Sequence, residues 1–291
     1  MRPSCVRLLR LLLMFVLFGA LQGRAQDGAT LTLLKDTPLR VIRGVSLLPG
    51  AEGMRLRRGD YLETGPAGTA QAQVEMAGGA IVELGPSTQV LLFNIGAGSA
   101  EIVVATGWLK GETTSGTYRF GSPLMSATTK GGNILLRAGD NESDLFVEHG
   151  TASVSFGDGS AAVASSAEKN FFTHRTGKPI TTAGRPSSEF IAGMPVSFRD
   201  VLPPRLSRFE GRKPPEPKSD HEVSYSDIEP LLRLPAGWRK GLVERFHPRL
   251  LDRAFRQAIE AHIGSLPEWK AALSAETPTS GPTPPEKSAP R

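Results

Sequence analysis

The stretch that most constrains the fold runs from Met54 to Phe93. Between Thr69 and Met76 apolar and polar residues alternate strictly. Ala70, Ala72, Val74 and Met76 fall on one face, Thr69, Gln71, Gln73 and Glu75 on the other. A period of two marks a strand with one buried face and one wet face. Ala80-Ile-Val-Glu-Leu84 resumes the pattern after Ala77-Gly78-Gly79. A loop of Gly78-Gly79 alone would set Val74 opposite Glu83 and break the apolar face. A loop of Ala77, Gly78 and Gly79 sets Met76 against Ala80, Val74 against Val82 and Ala72 against Leu84, so that every apolar side chain shares one face. That second register is the expectation, with Gly79 supplying the left-handed backbone a three-residue hairpin requires. On this reading an acid at Val74 is severe, and one at Gln73 is mild.

From Thr30 to Ile180 short β-forming runs recur, separated by Gly-rich turns such as Gly96-Ala-Gly98, Lys130-Gly-Gly132, Gly139-Asp-Asn-Glu-Ser143 and Gly157-Asp-Gly159. The spacing of about 8–12 residues between turn signals, with no long helical pattern, predicts a mainly β fold built as a sandwich or as a solenoid-like stack of short strands.

The turn residues carry a family likeness. Gly44-Val45, Gly59-Asp60, Thr64-Gly65, Gly68-Thr69-Ala70 and Gly79-Ala80-Ile-Val-Glu-Leu84 resemble the FecR domain, an all-β periplasmic module of bacterial envelope proteins. The resemblance runs from about Leu39 to Val154, and Lys130-Gly-Gly-Asn-Ile134 departs from the Gly-Thr pair often found there. It implies a fold and an envelope location, and it implies no chemistry. FecR-type regulators also carry a cytoplasmic anti-sigma helix bundle and a membrane span ahead of the β module. Here about ten residues precede the first apolar run, so the signalling part is not carried over.

Residues 1–25 read as a signal peptide. Arg2, Arg7 and Arg10 precede an apolar run from Leu11 to Leu21, and Gly23 and Ala25 are small residues before a cleavage site at Gln26. The run is short beside the roughly 20 residues needed to span a bilayer, so export to the periplasm with cleavage is expected. A retained anchor at the inner membrane is the alternative. The lone cysteine, Cys5, lies ahead of the apolar run, which leaves the mature chain without disulfides, thiol chemistry or zinc–thiolate sites. The net charge of +5 also shrinks on export, because Arg2, Arg7, Arg10 and Arg24 leave with the signal and 30 basic residues then face 29 acidic ones. Nucleic acid is not an expected partner, since no part of the chain offers the dense positive field that phosphates require.

After the β region, residues 26–182, the composition changes. Residues 183–225 contain Pro203-Pro204 and Lys213-Pro214-Pro215-Glu216-Pro217-Lys218 and read as an extended linker, with Phe190-Ile191 and Val196-Ser-Phe198 able to lie along the β domain. Residues 226–273 read as a small helical module. Ser226-Asp-Ile-Glu229 has capping-box form, and Leu251, Phe255, Ala258/Ile259 and His262 recur at helical spacing. Residues 274–291 are Pro- and Thr-rich and read as a disordered tail.

Catalytic constellations are sparse. His149, His174, His221, His247 and His262 are scattered with no i, i+4 pair, so neither a metal nor a cofactor is expected. Asp140, Asn141, Glu142 and Asp144 lack EF-hand spacing and read as a solvated turn. Asp60 reads as a turn residue bonding the backbone rather than as half of a carboxylate pair with Glu63.

The better candidate is the helical module. Trp238, Phe246, Phe255 and Trp269 lie among Arg239, Lys240, Arg245, Arg249, Arg253 and Arg256, the pattern of an amphipathic surface for an envelope protein partner or a membrane face. Trp238, Phe246, Phe255, Trp269, Arg245 and Arg253 are the candidate contact residues, and packing of the same face on the β domain is the competing reading. The functional expectation is a non-enzymatic periplasmic binding or scaffold protein. A polysaccharide-active enzyme with Glu75 and Glu83 as its acids, and a membrane-anchored sensor subunit, are the alternatives.

Overall fold

The computed structural model describes residues 28–157, 161–166 and 170–275. The proposed signal segment, residues 158–160 with most of the Gly157-Asp-Gly159 signal, residues 167–169 and the tail from residue 276 lie outside the described residues. The fold is mainly β, with one open mixed sheet of 16 strands among the described residues. In chain order these are β1 (Ala29–Lys35), β2 (Leu39–Arg43), β3 (Ser46–Pro49), β4 (Arg55–Leu56), β5 (Tyr61–Thr64), β6 (Gln71–Met76), β7 (Ala80–Leu84) and β8 (Gln89–Gly96). They continue as β9 (Ser99–Thr113), β10 (Thr117–Gly121), β11 (Met125–Ala138), β12 (Glu142–Phe156), β13 (Ala161–Ser166), β14 (Asn170–Arg175), β15 (Thr181–Ala183) and β16 (His221–Glu222).

The β6–β7 hairpin has the expected register. Ala72 faces Leu84 and Val74 faces Val82, and Gly79 takes a φ of 88° where its N–H bonds the Met76 carbonyl at 3.0 Å.

The Gly96-Ala-Gly98 and Gly139-to-Ser143 signals do separate strands, but inside β9, β11 and β12 glycines bend the strand instead of ending it. The turn signal Lys130-Gly-Gly132 lies inside the long β11, whose pairing with the long β12 shifts register between Thr129 and Gly132. The reason is steric: a Cβ on Gly132 would collide with the His149 carbonyl, and one on Gly150 with the Gly131 carbonyl. Glycine lets the two backbones cross closely and the ladder resume after a kink.

This bending closes the core. The first part of β9 pairs with β8 and, in parallel, with β10, whereas its last part pairs with β7 and β11. One strand therefore serves two halves of the sheet. Val41, Leu62, Val90 and Ile102 from one half meet Val74, Val82, Leu136 and Val147 from the other in a single buried cluster.

Both outer faces are covered as well. Ile42, Leu47, Tyr61, Leu91 and Val103 lie under the C-terminal helices, which are α2 (Tyr225–Leu232), α3 (Ala236–Arg239), α4 (Leu242–Phe246), α5 (Arg253–Ala261) and α6 (Lys270–Ala275). The outer face of the other half lies under residues 188–209, a strap formed by α1 (Ser188–Gly193) and two 3-10 turns at Val196–Arg199 and Leu206–Phe209. The Pro-rich stretch thus follows the sheet and buries Phe190, Phe198 and Leu202. No helix among the described residues is long and apolar enough to cross a membrane.

Candidate functional site

The helical cap begins two residues ahead of its expected start. Ser224 is the N-cap, reciprocally bonded with Asp227, so the capping box is Ser224/Asp227 and not Ser226/Glu229. Asp252 caps α5 by accepting from Ala254 N at 2.8 Å and Phe255 N at 3.1 Å. Leu251 precedes that cap in the 3-10 turn His247–Leu251, where the helical period does not yet apply. Leu250 is buried in its place, and Leu251 is 83% exposed.

The candidate contact residues divide by position. Trp238, Phe246, Phe255 and Trp269 all face inward and belong to the cluster that covers Tyr61, Leu91 and Val103. Trp238 donates its indole N–H to the Glu101 carboxylate at 2.7 Å. Its ring rests on Gly121, where a Cβ would come within 2.7 Å of the indole. Arg245 also turns to the sheet. Its guanidinium donates to the carbonyls of Gly44 at 2.9 Å, Gly59 at 2.6 Å and Ile42 at 2.9 Å, and it lies 4.8 Å over the Phe246 ring. Burial pushes its pKa down to about 10, against the pull of Asp60. Arg253 is exposed, near Leu251 on the outside of the cap.

The remaining acids have structural partners. Asp60 accepts from Arg57 N at 2.8 Å and from Arg43 at 3.0 and 2.6 Å. Asp144 was expected in a solvated turn and is instead buried, held by Arg137 at 2.8 and 2.5 Å and by the Thr173 hydroxyl at 2.7 Å. The pairing of Ser143 and Asp144 with β14 draws that side chain under the sheet's outer cover. Among the described residues no group of three or more His, Cys, Asp or Glu side chains could hold a metal.

Sequence reasoning missed the seam beneath the strap. Gln73, Glu75 and Glu83 occupy the face of β6 and β7 assigned to water, with Lys110 of β9 beside them, yet all four are buried. They hold the strap through its main chain. Gln73 Nε2 donates to the Pro203 carbonyl at 2.8 Å, and Glu75 accepts from Arg205 N at 2.7 Å and Leu206 N at 3.0 Å. Glu112 accepts from Leu202 N at 3.0 Å. Lys110 Nζ donates to the carbonyls of Phe198 at 2.9 Å and Asp200 at 2.7 Å and lies 3.2 Å from Glu112.

Glu83 is the exception in this row. Burial pushes its carboxyl pKa up, ahead of the opposing pull of Ser197, Lys110 and Arg205. One of its oxygens has no hydrogen-bond partner among the described residues. No sequence signal marks the seam, because Lys110 and Glu83, which pair in register, are residue types equally at home on an open sheet face.

Glu75, suspected above as a hydrolase acid, also accepts from the Thr32 hydroxyl at 2.8 Å and from Gln73 Nε2 at 2.9 Å. With four donors on its two oxygens it is engaged in structure rather than poised for proton transfer.

No protein-family model matches the sequence, and no curated protein matches it. Two crystal structures of a candidate anti-sigma factor from Parabacteroides distasonis ATCC 8503, at 1.65 and 2.50 Å resolution, are similar over part of the fold. Their identities to this chain are 12% and 13%, each with a TM-score of 0.38, and each match covers 45% of this chain. It takes in 63% of that protein, so the chain spans less than two thirds of the length of the structures it matches.

Proposed function

We propose that this chain is an exported, non-enzymatic interaction module of a bacterial cell envelope, binding a protein partner through the outer surface of its helical cap. The observation that carries the reading is Leu251, which is 83% exposed beside the exposed Arg253 while the aromatic residues of the cap face inward. Leu251 is the one strongly exposed large apolar side chain of the cap among the described residues, and with the Arg253 cation two residues on it offers a partner an apolar contact beside a charge. The FecR-like turn pattern and the basic, apolar start of the sequence support the envelope setting.

The test is in-cell photocrosslinking with p-benzoylphenylalanine in place of Leu251. One dominant protein adduct, lost on Arg253→Glu, is the expected result. The absence of any protein adduct, or a signal from lipid alone, would refute the reading. N-terminal sequencing of the envelope fraction checks export, with Gln26 expected as the first residue.

A further inference from the structure

The helical cap covers only part of the sheet face on which it lies. Ile42, Tyr61, Leu91 and Val103 pair directly across β2, β5, β8 and β9, and the helices bury that row. Further along the same strands Arg40 pairs with Glu63, Glu63 with Gln89 and Gln89 with Thr106, so a second row forms on the same face. This row is open. It lines a groove of two adjoining clefts, of about 510 and 350 Å³, which share Gln89 and Thr106. Nothing has to move for a ligand to reach it, since the Arg40 and Glu63 side chains are 38% and 26% exposed and Gln89 and Thr106 are half-buried.

The groups along the groove describe the ligand. The lining charges cancel, because Arg40 bonds Glu63 at 2.8 Å and Arg233 lies 4.0 Å from Asp140. The Gln89 amide and the Thr106 hydroxyl, without side-chain hydrogen bonds among the described residues, offer donors and acceptors together. Such a set favours a neutral molecule rich in hydroxyl groups. Pro38, Pro66, Pro123 and Pro230 add apolar C–H surface for the C–H faces of sugar rings. The spacing then selects the shape. Adjacent strands lie about 4.8 Å apart, so the four side chains span about 14 Å. An extended β-linked glycan advances by close to one strand spacing per sugar ring. An extended polypeptide advances about 3.3 Å per residue and falls out of step with the row.

We propose that this groove binds a linear, neutral, β-linked glycan laid across the strands, one sugar ring to each. Gln89 and Thr106 bond its hydroxyl groups at the centre, and Arg40 and Glu63 bond them at one end. Neither Leu251 nor Arg253 lines the groove, and the proposal does not rest on the role given to them.

The test is a titration of the isotope-labelled full chain, followed by nuclear magnetic resonance, with cellotetraose and with maltotetraose. The second has the same sugar in a coiled, α-linked chain. Cellotetraose is expected to shift the side-chain amide signal of Gln89, identified by its absence in Gln89→Ala, and to bind at least about tenfold tighter than maltotetraose. Gln89→Ala and Thr106→Val are each expected to weaken that binding about tenfold with unchanged melting, and Leu251→Asp to leave it unchanged. No binding of cellotetraose at millimolar concentration, equal affinity for the two glycans, equal affinity of the groove variants, or loss of binding in Leu251→Asp overturns the proposal. A capped tetra-alanine peptide is titrated alongside. A larger shift of the Gln89 signal by the peptide than by cellotetraose would show a polypeptide groove and overturn the glycan assignment.

Discussion

Gln73 and Glu83 face each other across the β6–β7 ladder, and both side chains turn away from the shared core into the seam beneath the strap. The face of β6 that alternation assigns to water is therefore as closed as the face that carries Val74, and substitutions on the two faces should not differ as alternation predicts. Gln73→Asp removes the donor to the Pro203 carbonyl and places a second carboxylate beside Glu75, whose oxygen lies 2.9 Å from Gln73 Nε2. It is expected to destabilise the chain by about 3 kcal/mol, in the range set by an unpaired buried charge. Val74→Asp should be comparably severe. Urea unfolding of both variants decides it, and a Gln73→Asp midpoint at the native value would show that the strap does not close the seam.

Glu83 gives the chain a pH dependence of definite sign. Its carboxyl has a folded pKa raised by burial, so the folded state holds the proton more tightly than the unfolded state. The resulting stability is complete below the ordinary glutamate range, about 4.3, and is lost as pH rises through the folded value. Glu83→Gln, neutral throughout, should therefore be more stable than the native chain at neutral pH. The two should converge as pH falls below about 4.3. Denaturant midpoints across that range test it, and equal midpoints at neutral pH would remove Glu83 as the source.

Asp227 acts in the opposite direction. Desolvation raises its pKa, but hydrogen bonds from Ser224 and Arg40 outweigh that and hold it below the usual aspartate range. Its contribution is present above the unfolded value, about 3.9, and is lost as pH falls through the folded one. Asp227→Asn should be less stable than the native chain at neutral pH and should narrow the difference in acid. Thermal melts at neutral and acid pH measure this, and a constant difference between the two would count against it.

Arg245 ties the cap to the sheet with a fork that lysine cannot reproduce, because its bonds run to three separate carbonyls. Arg245→Lys leaves at least one of those carbonyls unpaired and is expected to lower stability by about 1–3 kcal/mol. A melting temperature within a degree of the native value would mean that the carbonyls are satisfied by water.

Ending the chain at Glu222 uncovers Ile42, Leu47, Tyr61, Leu91 and Val103. Each large side chain returned to water forfeits about 1.5–3 kcal/mol, so the truncated sheet should melt well below the full chain and bind a hydrophobic dye. A truncated chain that melts like the native one would show that the cap is dispensable to the sheet.

The β6–β7 register, the left-handed Gly79 and the mainly β class were legible in the sequence. Each follows from local rules: a side-chain period of two, and a backbone angle that glycine adopts without strain. The aromatic residues of the cap were legible as a group, with a partner surface as the first expectation and packing on the β domain as the second. What covers them was not. Trp238 meets Glu101 and Gly121, and Gln73 meets Pro203, across separations that no local pattern encodes. Alternation records that one face of a strand is apolar. It cannot report that the polar face is covered by a strap held through main-chain atoms, because such contacts leave little trace in the strap's own side chains. The tertiary structure decided that Gly107, Gly132 and Gly150 sit within long strands rather than at their ends. A positive φ serves a turn and a kink equally well, and only the neighbouring strand determines which one forms.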